Sequence, residues 1–150
     1  MKPSDALIDF LKGWESLRLS AYLDAVGVPT IGYGRTTNVH LGDTCTAEQA
    51  DAWLRETVDE TWHAIDHGIH QTLAQHEMDA CTSLSLNIGV GAFLSSTLLS
   101  RLNNGDFGSA ADQFLKWCKG GRPLRTIPGL AKRRAAERAM FLDSDYRGRP

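Results

Sequence analysis

The chain has no apolar run approaching the ~18 residues that a membrane-spanning helix needs. That excludes a helical membrane protein. Its start, Met1-Lys2-Pro3-Ser4, has neither the apolar stretch nor the small-residue cleavage site of a secretory signal. The expected location is therefore the cytoplasm of the cell that makes it. Cysteine is scarce: Cys45, Cys81 and Cys118, an odd number at wide spacing. That is no disulfide framework, and free thiols behaving as small hydrophobes are expected. Low-complexity segments and internal repeats are also missing.

What remains is an ordinary globular composition, with 42% hydrophobic and 23% charged residues in 150. That length suits one domain, 1–150, able to bury roughly 70% of its unfolded surface. The net charge of −2 conceals two opposed regions. Residues 43–66 hold seven acids against Arg55 alone, and residues 116–138 hold eight bases against Glu137 alone. A basic C-terminal region suits an anionic polymer. Binding of nucleic acid is not expected, because the chain as a whole is acidic and carries no recognition motif.

Ser4 is an N-cap residue followed by Asp5 in a first turn. Leu7, Phe10, Leu11 and Trp14 then recur at helical spacing. Glu15 falls at the end of this helix, where an acid opposes the helix dipole. Residues 18–44 change character: Tyr, Val, Ile, Thr and Gly predict short strands and tight turns at Ala25-Val26-Gly27 and Gly32-Tyr33-Gly34. Thr46 with Gln49 forms a capping-box pattern, opening a helix to about Asp66. Further helices are expected at about 75–88, 95–103, 107–118 and 129–142. Gly120-Gly121-Arg122-Pro123 breaks the chain before the last. The fold class is α+β: mainly helical, with a small β lobe at about 18–44 beside a helical lobe of about 75–143 plus the N-terminal helix. A substrate cleft is expected between the lobes.

Cleavage of a glycosidic bond needs an acid to protonate the leaving oxygen and a second carboxylate to stabilise positive charge or activate water. Glu15, Asp24 and Thr30 supply these groups within one short stretch. Trp14 offers Glu15 an apolar neighbour that favours the protonated acid. Asp24 adjoins a glycine turn, and Thr30 has a hydroxyl able to hold water. His63, His67 and His70 are spaced as zinc ligands can be. No metalloenzyme motif accompanies them, so neither metal nor organic cofactor is expected.

The stretch Lys12-Gly13-Trp14-Glu15 through Tyr22-Leu23-Asp24, then Thr30-Ile31-Gly32-Tyr33-Gly34, resembles the catalytic region of the phage lysozymes, glycoside hydrolase family twenty-four. The family shows Glu, eight residues, Asp or Cys, five residues, Thr, and the gaps here are eight and five. Leu86-Asn87-Ile88-Gly89-Val90-Gly91-Ala92-Phe93, Ser96-Thr97-Leu98-Leu99, Gln113-Phe114-Leu115-Lys116-Trp117 and Gly129-Leu130-Ala131-Lys132-Arg133-Arg134 continue the likeness to the lambdoid-phage branch. The resemblance implies a lysozyme-like fold and a muramidase that cuts between N-acetylmuramic acid and N-acetylglucosamine in peptidoglycan. It implies Glu15 as general acid, with Asp24 the second carboxylate and Thr30 holding the attacking water; a nucleophilic Asp24 stays open. It also implies an arginine, Arg133 or Arg134, paired with Glu15, and sugar contacts at Asn87, Ser96, Tyr33 and Gly34. Arg35 departs from the histidine that many relatives carry after the Gly-Tyr-Gly turn. The 120–128 loop is longer than in close relatives. A monomeric host-lysis enzyme is implied, released to the wall by a holin and never stably inserted in the membrane.

Overall fold

The computed structural model describes residues 1–148, so residues 149 and 150 of the expected 1–150 unit lie outside the described residues. Helix α1, Asp5–Trp14, starts where its cap predicts: Ser4 Oγ accepts the Leu7 backbone N–H at 3.0 Å. Its apolar face, Leu7, Ile8, Phe10 and Leu11, is fully buried. Glu15 caps the helix in extended conformation, which turns the chain into strand β1, Arg18–Leu23.

β1 pairs antiparallel with β2, Pro29–Gly32, with Tyr22 opposite Thr30. The arm is completed by Ser20 bridging to Thr44. Ile31, Val39, Cys45 and Ala50 make a small core of their own beneath it. This matches the expected β region. Gly32 explains how the arm sits so close to the next helix. At φ +66°, a Cβ built there would lie 3.2 Å from the Cβ of Ala50, so a side chain would push the arm away.

Helix α2, Ala47–Asp66, opens on the predicted capping box, with Gln49 N–H donating to Thr46 Oγ1 and Thr46 N–H to Gln49 Oε1. Asp51 on α2 accepts from Lys12 and from Arg55, whose guanidinium also reaches Asp5 at 2.7 Å, fastening α1 to α2. Helix α3, Gln75–Ile88, is the central post, buried from Met78 through Ser85. Its hydroxyls tolerate this because Thr82 and Ser85 donate to the carbonyls four residues back, at 2.8 and 2.7 Å.

Two expected helices are corrected. The expected 95–103 helix is α5, Thr97–Asn103, starting two residues later, and a short α4, Val90–Leu94, that was not expected precedes it. Ser95 closes α4 and Ser96 caps α5, because Ser96 Oγ accepts the Leu99 N–H at 3.1 Å. The expected 107–118 helix ends early: α6 spans Phe107–Phe114. Leu115, Lys116 and Trp117 each bond only three residues back, and the Cys118 carbonyl accepts from Ile127 instead. Trp117 keeps the apolar pattern alive by packing against the core outside the helix. The 120–128 loop is partly a ribbon, with β3, Lys119–Gly120, antiparallel to β4, Arg125–Thr126. Helix α7, Pro128–Asp143, then packs along α3 and α6. Phe114 and Phe141 meet there at 5.5 Å between ring centroids.

The free cysteines follow expectation: Cys45 and Cys81 are buried and Cys118 is half-buried. No helix among the described residues is long and apolar enough to cross a membrane.

Candidate active site

Glu15 owes its place to the end of α1. The helix delivers the chain to the junction of the β arm and α2, and Glu15, the capping residue after its last turn, lines a cavity of about 160 Å³. Leu11 and Glu15 form one side. Tyr33, Gly34 and Arg35 come from the turn after β2, Trp53 and Thr57 from α2, Leu86 from α3, and Arg133 from α7. Five separate segments thus converge on a single carboxylate.

Arg133 Nη1 donates to Glu15 Oε1 at 2.9 Å. The Arg133 side chain is 7% exposed and that of Glu15 37%, so the acid faces the cavity while its partner is rooted in protein. The second oxygen, Oε2, lies on the Gly34 side. A Cβ built on Gly34 would stand 3.7 Å from it, and the residue has φ +91°, a conformation suited to glycine. The sequence assigned Glu15 an apolar neighbour in Trp14. The ring packs instead towards Phe10, at 6.2 Å between centroids, and the group touching the carboxylate is a guanidinium.

Asp24 and Thr30 belong to the β1–β2 hairpin, and neither lines the Glu15 cavity. Asp24 Oδ1 accepts the N–H groups of Val26 and Val28, both at 2.9 Å, so the carboxylate organises the turn that carries it. Thr30 is buried, and its hydroxyl donates to the Val28 carbonyl at 2.9 Å. With the proton committed there, the oxygen meets any further partner as an acceptor.

The remaining expected residues divide. Tyr33 and Gly34 line the cavity, and Asn87 is exposed one residue beyond its Leu86 wall. Ser96 is a correction to the expected sugar contacts. It is buried, and besides capping α5 its hydroxyl donates to the Phe93 carbonyl at 2.6 Å, so its proton is committed inside the protein. Arg134 is a second correction. It is fully buried and faces Glu137, with Nη2 3.1 Å from Oε1. Arg134 Nε lies 2.7 Å from Glu137 Oε2 but off the line of a hydrogen bond, leaving charge attraction. Burial pushes the Glu137 carboxyl up and the Arg134 guanidinium down, while each resists the shift in the other.

The basic region is accordingly not one solvated face. Arg133 and Arg134 are internal, and Arg138 pairs with Asp112 at 2.8 Å. Lys116, Lys119, Arg122, Arg125 and Lys132 are the exposed remainder, after α6, on the ribbon and at the start of α7. Glu137 escaped the sequence reading, although the signal was present. Leu130, Arg133, Arg134, Glu137, Met140 and Phe141 recur at three and four, which puts both arginines and the glutamate on the apolar stripe. Arg35 stacks its guanidinium on the Trp53 ring, 4.8 Å from the centroid, at the cavity wall. Among the described residues, no three His, Cys, Asp or Glu side chains converge as metal ligands.

A mainly helical body, a β arm and a cleft acid held by a buried arginine together describe a lysozyme-like protein. Residues 12–137 match the phage lysozyme family model, and the chain belongs to that family. It is 44% identical over 94% of its length to an endolysin of Acyrthosiphon pisum secondary endosymbiont phage 1, covering 98% of that protein. Among solved structures it is similar to an endolysin from Escherichia coli O157:H7 phage FAHEc1, at TM-score 0.91 and 36% identity, over 96% of this chain and 95% of that one. It is also similar to the muramidase domain of SpmX from Asticaccaulis excentricus, at TM-score 0.89 and 35% identity, over 94% and 97% of the two chains.

Proposed function

We propose that this phage lysozyme is an endolysin that hydrolyses the β-1,4 bond between N-acetylmuramic acid and N-acetylglucosamine in peptidoglycan. The observation that carries the mechanism is the one-sided hold on Glu15. A guanidinium can only donate, so the oxygen it engages, Oε1, is not where a proton sits. The transferable proton rides on Oε2, on the side that Gly34 leaves open. It passes to the glycosidic oxygen as the bond to the anomeric carbon breaks, and positive charge grows on the sugar ring.

Water completes the reaction from the opposite face. Thr30 Oγ1, its own proton given to Val28, accepts one hydrogen of that water. Asp24 accepts the other and takes that proton as the water oxygen bonds to the anomeric carbon, and its anchored turn fixes the angle of attack. Bond breaking on one face and water entry on the other give inversion, so the first sugar released has the α configuration. Tyr33, Gly34 and Asn87 contact the sugars, while Arg133 sets the orientation of the acid. The 1–150 chain acts as one lysozyme domain and as a monomer. It collects in the host cytoplasm and gains access to the wall when a holin opens the membrane.

Mass spectrometry of digested peptidoglycan tests the reaction. Reducing muramic acid ends, with the α anomer appearing first by NMR, are expected. Anhydro ends would mean intramolecular closure without water and would leave Asp24 and Thr30 with no chemical role. Expression with and without a co-expressed holin tests delivery: lysis is expected only with the holin.

A further inference from the structure

Glu137 has no exposed surface and no part in the reaction as derived above. Its Oε1 nonetheless accepts three donors: Ser83 Oγ at 2.7 Å, Arg133 Nε at 3.2 Å and Arg134 Nη2 at 3.1 Å. Stability alone is a poor reason for such a cluster. Apolar residues of similar volume do as well as a buried ion pair in many proteins, because desolvation offsets the attraction.

The shared member is Arg133, which bridges Glu137 and Glu15. A guanidinium facing a lone carboxylate tends to close on it with two parallel hydrogen bonds. Here Glu137 holds Nε from inside the protein, which fixes the plane of the group, and only Nη1 reaches Glu15. One oxygen of Glu15 is engaged and the other is left to the cavity.

We propose that Glu137 is a positioning residue for glycoside cleavage. By holding Arg133 Nε it stops the guanidinium from clasping both oxygens of Glu15 and keeps Oε2 free to hold and deliver the proton. Ser83 belongs to the same device, since its hydroxyl fixes Glu137 Oε1 from α3. This inference rests on the reading of Glu15 as the acid.

The test uses three variants of the whole chain: Glu137→Met, which leaves no oxygen for Arg133 Nε, Glu137→Asp and the double variant Arg134→Met/Glu137→Met. Turnover of a soluble peptidoglycan fragment and Tm are measured for each, beside Glu15→Gln. Glu137→Met leaves two buried arginines with no internal acid, so its Tm falls, and the test does not depend on its folding. The double variant removes the surplus cation and recovers Tm. In it, kcat is expected to stay down by about 10²-fold, the scale of a misplaced catalytic group, with KM unchanged. Glu137→Asp keeps a carboxylate and recovers part of kcat. Recovery of kcat together with Tm in the double variant would overturn the proposal and leave Glu137 a structural residue. An active Glu15→Gln would instead sink the reading of Glu15 itself, so the two failures are distinguishable.

Discussion

Arg133 Nη1 stands 2.9 Å from Glu15 Oε1, an ion pair that joins the last long helix to the end of the first. It couples the catalytic proposal to the packing of α7, because Arg133 is held by the helix that also fills the core with Met140 and Phe141. Replacing it affects both. Arg133→Met is expected to lower kcat by about 10²-fold through loss of acid orientation. It also lowers stability, on the order of 3 kcal/mol, because Glu137 loses one of its two buried cations. Steady-state kinetics and urea unfolding check this. An unchanged kcat in a folded variant would show that Glu15 does not need the pair.

The proposed mechanism gives Asp24 a duty beyond holding its turn, and a pair of substitutions can separate the two. Its Oδ1 holds the Val26 and Val28 N–H groups, and an asparagine oxygen can do the same. Asp24→Asn is therefore expected to keep the hairpin and the Tm while activity falls by about 10²-fold or more, the scale of acid–base assistance. Asp24→Ala loses the turn as well. Equal activity of Asp24→Asn and the parent chain would remove the carboxylate from the mechanism.

The expectation of the β arm and of most helix ends succeeded because local chemistry decides them. Ser4, Thr46 and Gln49 make their predicted caps with their own neighbours. The Glu15 surroundings were legible only in part. Its position at a helix end follows from the spacing of Leu7, Phe10, Leu11 and Trp14. That Arg133 rather than Trp14 touches it depends on a residue 118 positions away, which no local pattern encodes. Ser96 shows the limit from the other side. A serine before a helix reads equally as a cap or as a ligand contact, and here the hydroxyl caps Leu99 and donates to the Phe93 carbonyl.

Alkaline pH should weaken the fold through Tyr146. Its hydroxyl donates to buried Asp79 at 2.7 Å, and burial first, with Asp79 second, pushes the phenol above its ordinary value of 10.0. The folded state therefore keeps this proton after the unfolded chain has lost it. The stabilising contribution is complete below about pH 10 and declines as pH rises beyond it. Tyr146→Phe is expected to flatten the fall in urea midpoint measured from about pH 8 to about pH 11. A residual slope belongs to Cys81, whose buried thiol is also pushed up. An identical slope in the two proteins would contradict the assignment to Tyr146.

Thiol labelling should follow the same burial. Cys118, half-buried, is expected to react with an aromatic disulfide reagent first. Cys81 has no exposed surface and should react only as the chain unfolds. Quantification by mass spectrometry over time in native buffer checks the order, and early labelling of Cys81 would contradict the packing of α3.

The most direct measurement is the turnover of Glu15→Gln on purified peptidoglycan, with Tm recorded on the same sample. Glutamine keeps an oxygen for Arg133 and removes the proton that Oε2 would deliver. The expected result is a folded protein whose Tm is close to that of the parent and which releases no reducing muramic acid ends. Parent-like release by that folded variant would contradict the central claim that Glu15 is the acid.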